Sequence, residues 1–457
     1  MPPSAAPPIA TAATSRLDPD RPSRLPRGLS AFRHRDYRLL WGSQLFSLTG
    51  TWMQSLAQSW LVLSITNSPL QLGLINVCQF GPSLVLGLPG GVLADRFPKR
   101  RLLLATQSVY AVLTGLLAVL VVTGRVELWH IYAVAVSLGC VNAVDMPTRQ
   151  AFVTDIVGKE DLGNAVALNS ALFNASRVVG PALAGVLLST VGTAVCFVFN
   201  AASYLPVLGA LLLMRTEGRA TGIVAGERAL ERLRQGLAYA AGTTAVLRPL
   251  VLVGLVATFG MNFNVWVPLL ARNDLAIGGG GFGLLMSSLG IGSLAGALGL
   301  AFSGRRPNRR AMLATGAAFG LAEIALAVAV RVAAPIPVIL MLMAAIGFSM
   351  STTMAMANIV VQTTAPDALR GRVMSIYTTV FAGSTPIGAA LAGGAAAVFG
   401  STAAVAGGGI VVLLAALGVG LWRSTAVPRP APGDEAGERP SPSVGSEPVA
   451  AAGRGRR

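Results

Sequence analysis

The chain has 457 residues, 53% of them hydrophobic and only 12% charged, with a mean hydropathy of +0.65. Soluble domains carry about a quarter of their residues as charges, so this balance excludes a soluble enzyme or binding module and leaves a polytopic membrane protein. The formal charge of +16 would suggest nucleic acid in a soluble chain. Here the arginines fall in tails and alternate loops with no interleaved aromatics, which makes them orientation signals and removes nucleic acid from the expected partners.

Residues 1–30 are rich in Pro, Ala, Ser and Arg, and cannot bury enough apolar area to become ordered. They contain no unbroken apolar core of the kind a signal peptide needs. Phe32 to Arg38 forms a charged, aromatic lead-in to a first span over about 39–63, which Asn67-Ser68-Pro69 ends. A second span covers about 70–93, and the chain then turns through Gly90-Gly-Val-Leu-Ala-Asp95-Arg96-Phe-Pro-Lys-Arg-Arg101. No charge occurs in 70–89 or in 102–124, so both flanks of this turn are long enough to cross a bilayer as helices. Further spans follow at about 101–123, 129–147, 164–188 and 193–214.

Between 215 and 247 arginines and glutamates replace the apolar run. Ala229, Leu230, Leu233, Leu237 and Ala238 recur there at helical spacing, as in an amphipathic helix on a membrane surface. Six more spans come at about 249–271, 281–303, 310–331, 336–360, 371–396 and 401–422. The expected organisation is therefore an all-α membrane protein of twelve transmembrane helices. Its parts are a tail (1–30), a six-helix bundle (31–214), a linker (215–247), a second bundle (248–423) and a disordered tail (424–457).

The halves are copies. Shifted by 210 residues, Leu72-Gly73-Leu74 lines up with Phe282-Gly283-Leu284, and Arg96, Lys99 and Arg100 with Arg306, Arg309 and Arg310. Shifted by 208, Gly180, Leu183-Ala184-Gly185 and Gly192 line up with Gly388, Leu391-Ala392-Gly393 and Gly400. Two offsets this close, in segments about a hundred residues apart, imply a tandem duplication. With twelve spans, one set of loops carries only Arg125, Arg272 and Arg331, while the other set and the tails carry nearly all the remaining cations. That asymmetry places both termini in the cytoplasm. Cys78, Cys140 and Cys196 stand singly in apolar runs, as helix-packing residues rather than metal ligands.

The turn after the second span, with Gly91, Leu93, Asp95, Arg96, Lys99 and Arg100 in the order G-x-L-x-D-R-x-x-[KR]-[KR], resembles the signature of the major facilitator superfamily. The likeness covers about residues 30–425. Pro98 stands where that family often has glycine, and in the second copy Arg305 takes the place of Asp95. Asp145-Met-Pro-Thr-Arg149, Asn164-Ala165, Asn169, Asn174 and Arg177-Val-Val-Gly180-Pro181-Ala-Leu-Ala-Gly185 look like the branch of enterobactin exporter-like efflux permeases. The Gly-Pro-x-x-x-Gly piece is similar to a motif of antiporters.

The resemblance implies two six-helix bundles that rock about a central cavity. It also implies that Asp95, with Arg96 and Arg100, holds the inner gate by capping a neighbouring helix start, with Arg370-Gly371-Arg372 as the receiver. Spans 1, 4, 7 and 10 then line the path and nominate Gln54, Gln58, Asn262, Asn264, Trp266 and Asn358 for the cargo. Amides of this kind also glue membrane helices together. Ionisable residues inside the spans are few: Asp145, Arg149, Arg177 and Glu323. An arginine there costs about 2.5–3.5 kcal/mol on insertion scales, so Arg177 is expected to face the interior beside a partner. Asp145 either alternates between Arg149 and Arg177 as a protonation switch or forms a fixed salt bridge. Gly180, Pro181 and Gly185 read as close-packing and bending points.

The expected function is proton-driven efflux of a small amphipathic molecule such as a drug, siderophore or secondary metabolite. The protein would act as a monomer in the cell membrane, with no cofactor beyond the proton gradient. No G-x-x-x-x-G-K-[ST] loop is present to drive an ATP pump, and His34 and His130 are the only histidines, which disfavours a membrane enzyme. A non-transporting sensor or scaffold of the same fold is the alternative.

Overall fold

Asn67 adopts a left-handed conformation (φ 47°) and donates its N–H to the Leu63 carbonyl, which ends α1 (Arg35–Thr66). Pro69 then occupies the first turn of α2 (Pro69–Arg96), where a missing N–H costs nothing. These events belong to a computed structural model that describes residues 27–218, 226–303 and 308–422. Among them no strand occurs. The expectations of disordered tails at 1–26 and 424–457, and of Arg305 in place of Asp95, lie outside the described residues.

The first half continues with α3 (Lys99–Val122), α4 (Leu128–Thr190) and α5 (Ala194–Leu213). The linker contributes α6 (Gly226–Gly242). Next comes a stretch from Thr244 to Asp274 built from α7 (Thr244–Leu255), a π-helical turn (Val256–Gly260), α8 (Phe263–Leu269) and a second π-helical turn (Leu270–Asp274). The second half is completed by α9 (Gly278–Phe302), α10 (Arg309–Arg331), α11 (Ile336–Thr364), α12 (Asp367–Phe399) and α13 (Ser401–Leu421). Ten helices among the described residues are long and apolar enough to cross a membrane. With the homology reported below, this makes the chain a multi-pass membrane protein.

Two features separate these ten from the twelve expected spans. Polar residues such as Gln44, Gln54 and Gln58 keep α1 outside the apolar set, although its 32 residues exceed a bilayer crossing. Spans four and five run together as the 63-residue α4, interrupted at Gly158, whose φ of +70° only glycine adopts without strain. The expected loop at 148–163 is helical on both sides of this break. Phe152, Val153, Ile156 and Val157 bury one stripe there against Tyr37, Leu103 and the end of α5, and that burial outweighs the diluting effect of Asp155 and Lys159 on the apolar run.

The lead-in also begins earlier than expected, because a 3-10 turn at Arg27–Arg33 docks on the second arm of α4. Ala31 donates its N–H to Asn164 Oδ1 at 2.9 Å, and Arg33 and His34 both reach Asp161. Tyr37 donates to the Ala165 carbonyl and to Asn169 Oδ1, each at 3.0 Å. Asn164, Ala165 and Asn169 therefore anchor the lead-in to α1.

The two halves make a like contact with cations one position apart in the repeat, since Arg309 is the equivalent of Lys99 and not of Arg100. Arg100 donates to the Leu211 and Leu212 carbonyls at the C-terminus of α5, and Arg309 to the Val419 and Gly420 carbonyls at the C-terminus of α13. A cation at orphan helix-end carbonyls is favourable through both hydrogen bonding and the helix dipole.

Candidate functional site

The halves meet through glycines that the repeat pairs. A methyl group on Gly283 of α9 would lie 2.3 Å from the Gly185 Cα of α4. One on Gly393 of α12 would lie 3.0 Å from the Gly73 Cα of α2. Gly73 and Gly283 are repeat equivalents, as are Gly185 and Gly393, so the two contacts are one contact written twice about a pseudo-twofold axis. Within each half a second pair behaves alike: Gly180 packs on the Thr49 carbonyl of α1, and Gly388 on the Thr258 carbonyl of the first π turn. Only glycine lets the backbones approach this closely.

These inter-half contacts lie toward the end of the bundle that carries Asn67, Gly192 and Gly400. Trp60 stacks on Phe282 there, and Asn264 Nδ2 reaches Ser55 Oγ at 3.5 Å. Toward the other end the packing described reaches Leu84 against Gly383. Beyond it Asp95 and Arg96 are exposed, and Asp95 makes no hydrogen bond or ion pair among the described residues. Arg372 instead donates to Gln235 of the linker helix, and Arg370 to the Gln362 carbonyl. In this conformation the loop acid is not latched to the start of α12.

The residues expected around the cargo divide into groups. Gln54 accepts from Asn200 of α5 at 2.7 Å and Gln58 donates to Gln79 of α2 at 3.3 Å, so both amides tie α1 to its own half. Asn262 donates to the Thr258 carbonyl at the π turn, Trp266 is buried edge-on to Phe263, and Asn358 accepts from Gln362 one turn along. Of this set, Asn264 is the one whose hydrogen bond crosses between halves.

Asp145 is fully engaged. Its Oδ1 accepts from Thr106 and Gln107 of α3, both at 2.7 Å, and its Oδ2 from Arg149 at 2.5 and 3.2 Å. Arg177 sits elsewhere, its guanidinium 5.8 Å from the centre of the Trp52 ring, which in turn stands edge-on to Phe173. Among the described residues Arg177 has no hydrogen bond or ion pair. Trp52 and Phe173 carry no sequence signal of their own, and only the packing of Gly180 on α1 brings that ring beneath the arginine.

The surroundings of Arg177 follow from the stripe it belongs to. Val166, Phe173, Arg177, Gly180 and Ala184 share one face of the second arm of α4 by helical spacing. Exposure along this stripe falls from 54% at Val166 and 45% at Phe173, through a half-buried Arg177, to buried Gly180 and Ala184. The opposite stripe runs the other way, from buried Ala165 and Leu172 to 46% at Val179 and 61% at Val186. Gly290 of α9, in the other half, packs on the Arg177 carbonyl and on Val178, so Arg177 stands where the halves meet.

Two helical halves related by a pseudo-twofold axis, joined by glycines at one end, define a transporter of the major facilitator type. The chain belongs to the transmembrane secretion effector family, whose model matches residues 27–441. It is 30% identical over 361 residues to the multidrug efflux pump Tap of Mycolicibacterium fortuitum, covering 75% of this chain and 85% of that one. With the enterobactin exporter EntS of Escherichia coli it shares 25% identity over 364 residues, 79% and 85% of the two chains. The staphyloferrin A transporter of Staphylococcus aureus matches at 31% over 168 residues, 36% and 42% of the two. Among solved structures, the nucleoside transporter NupG (TM-score 0.66, 12% identity, 86% of this chain and 100% of that one) and a D-xylose–proton symporter (0.65, 16%, 86% and 96%) share the fold.

Proposed function

We propose that this protein exports a small amphipathic molecule, a drug, siderophore or secondary metabolite, across the cell membrane by alternating access driven by the proton gradient. It acts as a monomer with both termini in the cytoplasm. The observation that carries this reading is the asymmetry between the bundle's two ends: symmetry-related glycine contacts at one, an exposed and unlatched Asp95 at the other. The arrangement matches one side of a rocking cycle about a central site. Lys99, Arg100, Arg101, Arg309, Arg310, Arg370 and Arg372 cluster at the unlatched end, whereas Arg125, Arg272 and Arg331 stand at the other, so the cleft opens to the cytoplasm. The named activities of Tap and EntS support export as the direction.

The test is accumulation of a neutral, a cationic and an anionic dye (N-phenyl-1-naphthylamine, ethidium and carboxyfluorescein) in cells lacking their own drug exporters. The expected result is lower accumulation of at least one dye when the protein is expressed, restored by an uncoupler. Unchanged accumulation of all three would favour a sensor or scaffold instead.

A further inference from the structure

The bundle does not need a charge at position 177. Shifting by 208 residues, the interval that maps Gly180 onto Gly388, carries Arg177 to Thr385. Shifting by 210, the interval that maps Gly73 onto Gly283, carries Trp52 to Asn262. The second half thus builds the same glycine-mediated packing of its fifth helix on its first with a neutral threonine and an asparagine. Where two copies of one fold differ by an arginine inside the membrane, packing alone does not account for the difference.

That arginine is also left incomplete. A guanidinium offers five N–H donors, and among the described residues none is used. The Trp52 face stabilises the cation without accepting those hydrogens. On the first arm of α4, Asp145 is occupied by Thr106, Gln107 and Arg149, and Asp155 by Lys99. Glu323 is buried on α10 among Gly408 and Gly409 of α13. The boundary between the halves therefore presents a cation with open donors beside an aromatic platform of Trp52 and Phe173, with no acid beside it among the described residues.

We propose that Arg177 is the anion-recognising residue of the cargo site. The transported molecule then carries a carboxylate, sulfonate or comparable oxyanion on an aromatic or apolar body. The oxyanion takes the free N–H groups of Arg177, and the body lies on Trp52 and Phe173. This assignment rests on the export reading above, and adds the charge class of the cargo to it.

The test uses a matched pair of probes, 8-anilino-1-naphthalenesulfonate and its neutral parent N-phenyl-1-naphthylamine, which differ by one sulfonate. Binding is measured by equilibrium dialysis against the full chain in nanodiscs, with empty nanodiscs subtracted. A charge-assisted hydrogen bond is worth about tenfold or more in affinity. Wild-type protein is expected to bind the sulfonate at least about tenfold more tightly than the parent. R177Q is expected to abolish that preference while leaving the parent's affinity unchanged, and R177K to keep part of it, because a lysine retains the charge but not the fork. Thermal unfolding of both variants checks that they fold. Equal affinity of wild-type protein for the two probes, no measurable sulfonate binding, or an R177Q loss that falls equally on both would overturn the assignment. Because binding is read without a gradient, a chain that binds the sulfonate but leaves dye accumulation unchanged would refute export and not the anion site.

Discussion

Asp145 receives hydrogen bonds from both sides: Thr106 and Gln107 hold one oxygen and Arg149 the other. The i,i+4 spacing made Arg149 legible as its neighbour. The α3 donors lie 39 and 38 residues away and have no local signal. For the same reason an acid was expected beside Arg177, whereas the structure supplies an aromatic ring. Removing one member of a buried pair costs about 3–5 kcal/mol, because the other charge is left uncompensated. Asp145→Asn is accordingly expected to lower the unfolding temperature in detergent by several degrees. The double variant Asp145→Asn/Arg149→Gln should recover much of the loss. A double variant no better than the single one would show that the pairing is not what the carboxylate contributes.

At the scale of helices, the duplicated glycines do what the sequence repeat suggested, but in a way the linear alignment does not reveal. Gly283 touches Gly185, and their equivalents Gly73 and Gly393 touch each other, so a repeat that looked like internal similarity turns out to specify the interface between halves. A methyl group on Gly283 would sit 2.3 Å from backbone, with no flexible side chain to give way. Gly283→Ala should therefore weaken closure at this end. Ser189 lies beside Gly280, with 3.3 Å between its Cβ and one built on that glycine, a separation at which a disulfide nearly fits. In a background lacking Cys78, Cys140 and Cys196, oxidation of Ser189→Cys/Gly280→Cys is expected to slow about severalfold when Gly283→Ala is added. Gly209→Ala, placed where nothing lies within 4 Å, should leave the rate unchanged. Helix boundaries were less legible than this packing. The charges at Asp155, Lys159 and Glu160 obscured the helical residues of 148–163 in α4, because burial of Phe152 and Ile156 is a tertiary effect that periodicity in a charged window does not display.

For the whole molecule, composition and hydropathy were enough to place the chain in a membrane, and the turn around Asp95 to suggest its superfamily. What they could not reach was conformation: whether Asp95 is latched depends on the relative position of two halves that one sequence permits in more than one arrangement. Alternating access requires that the two ends of the bundle open in opposition. Spin labels on a cysteine-free background, one pair at Arg96→Cys and Gly371→Cys and another at Leu70→Cys and Val398→Cys, would report both ends by pulsed electron–electron distance measurement. In liposomes with and without a proton gradient, the predicted result is two distance populations at each end, with the 96/371 pair shortening as the 70/398 pair lengthens. A single distance at each end under every condition, or both ends lengthening together, would contradict rocking halves and with them the transporter.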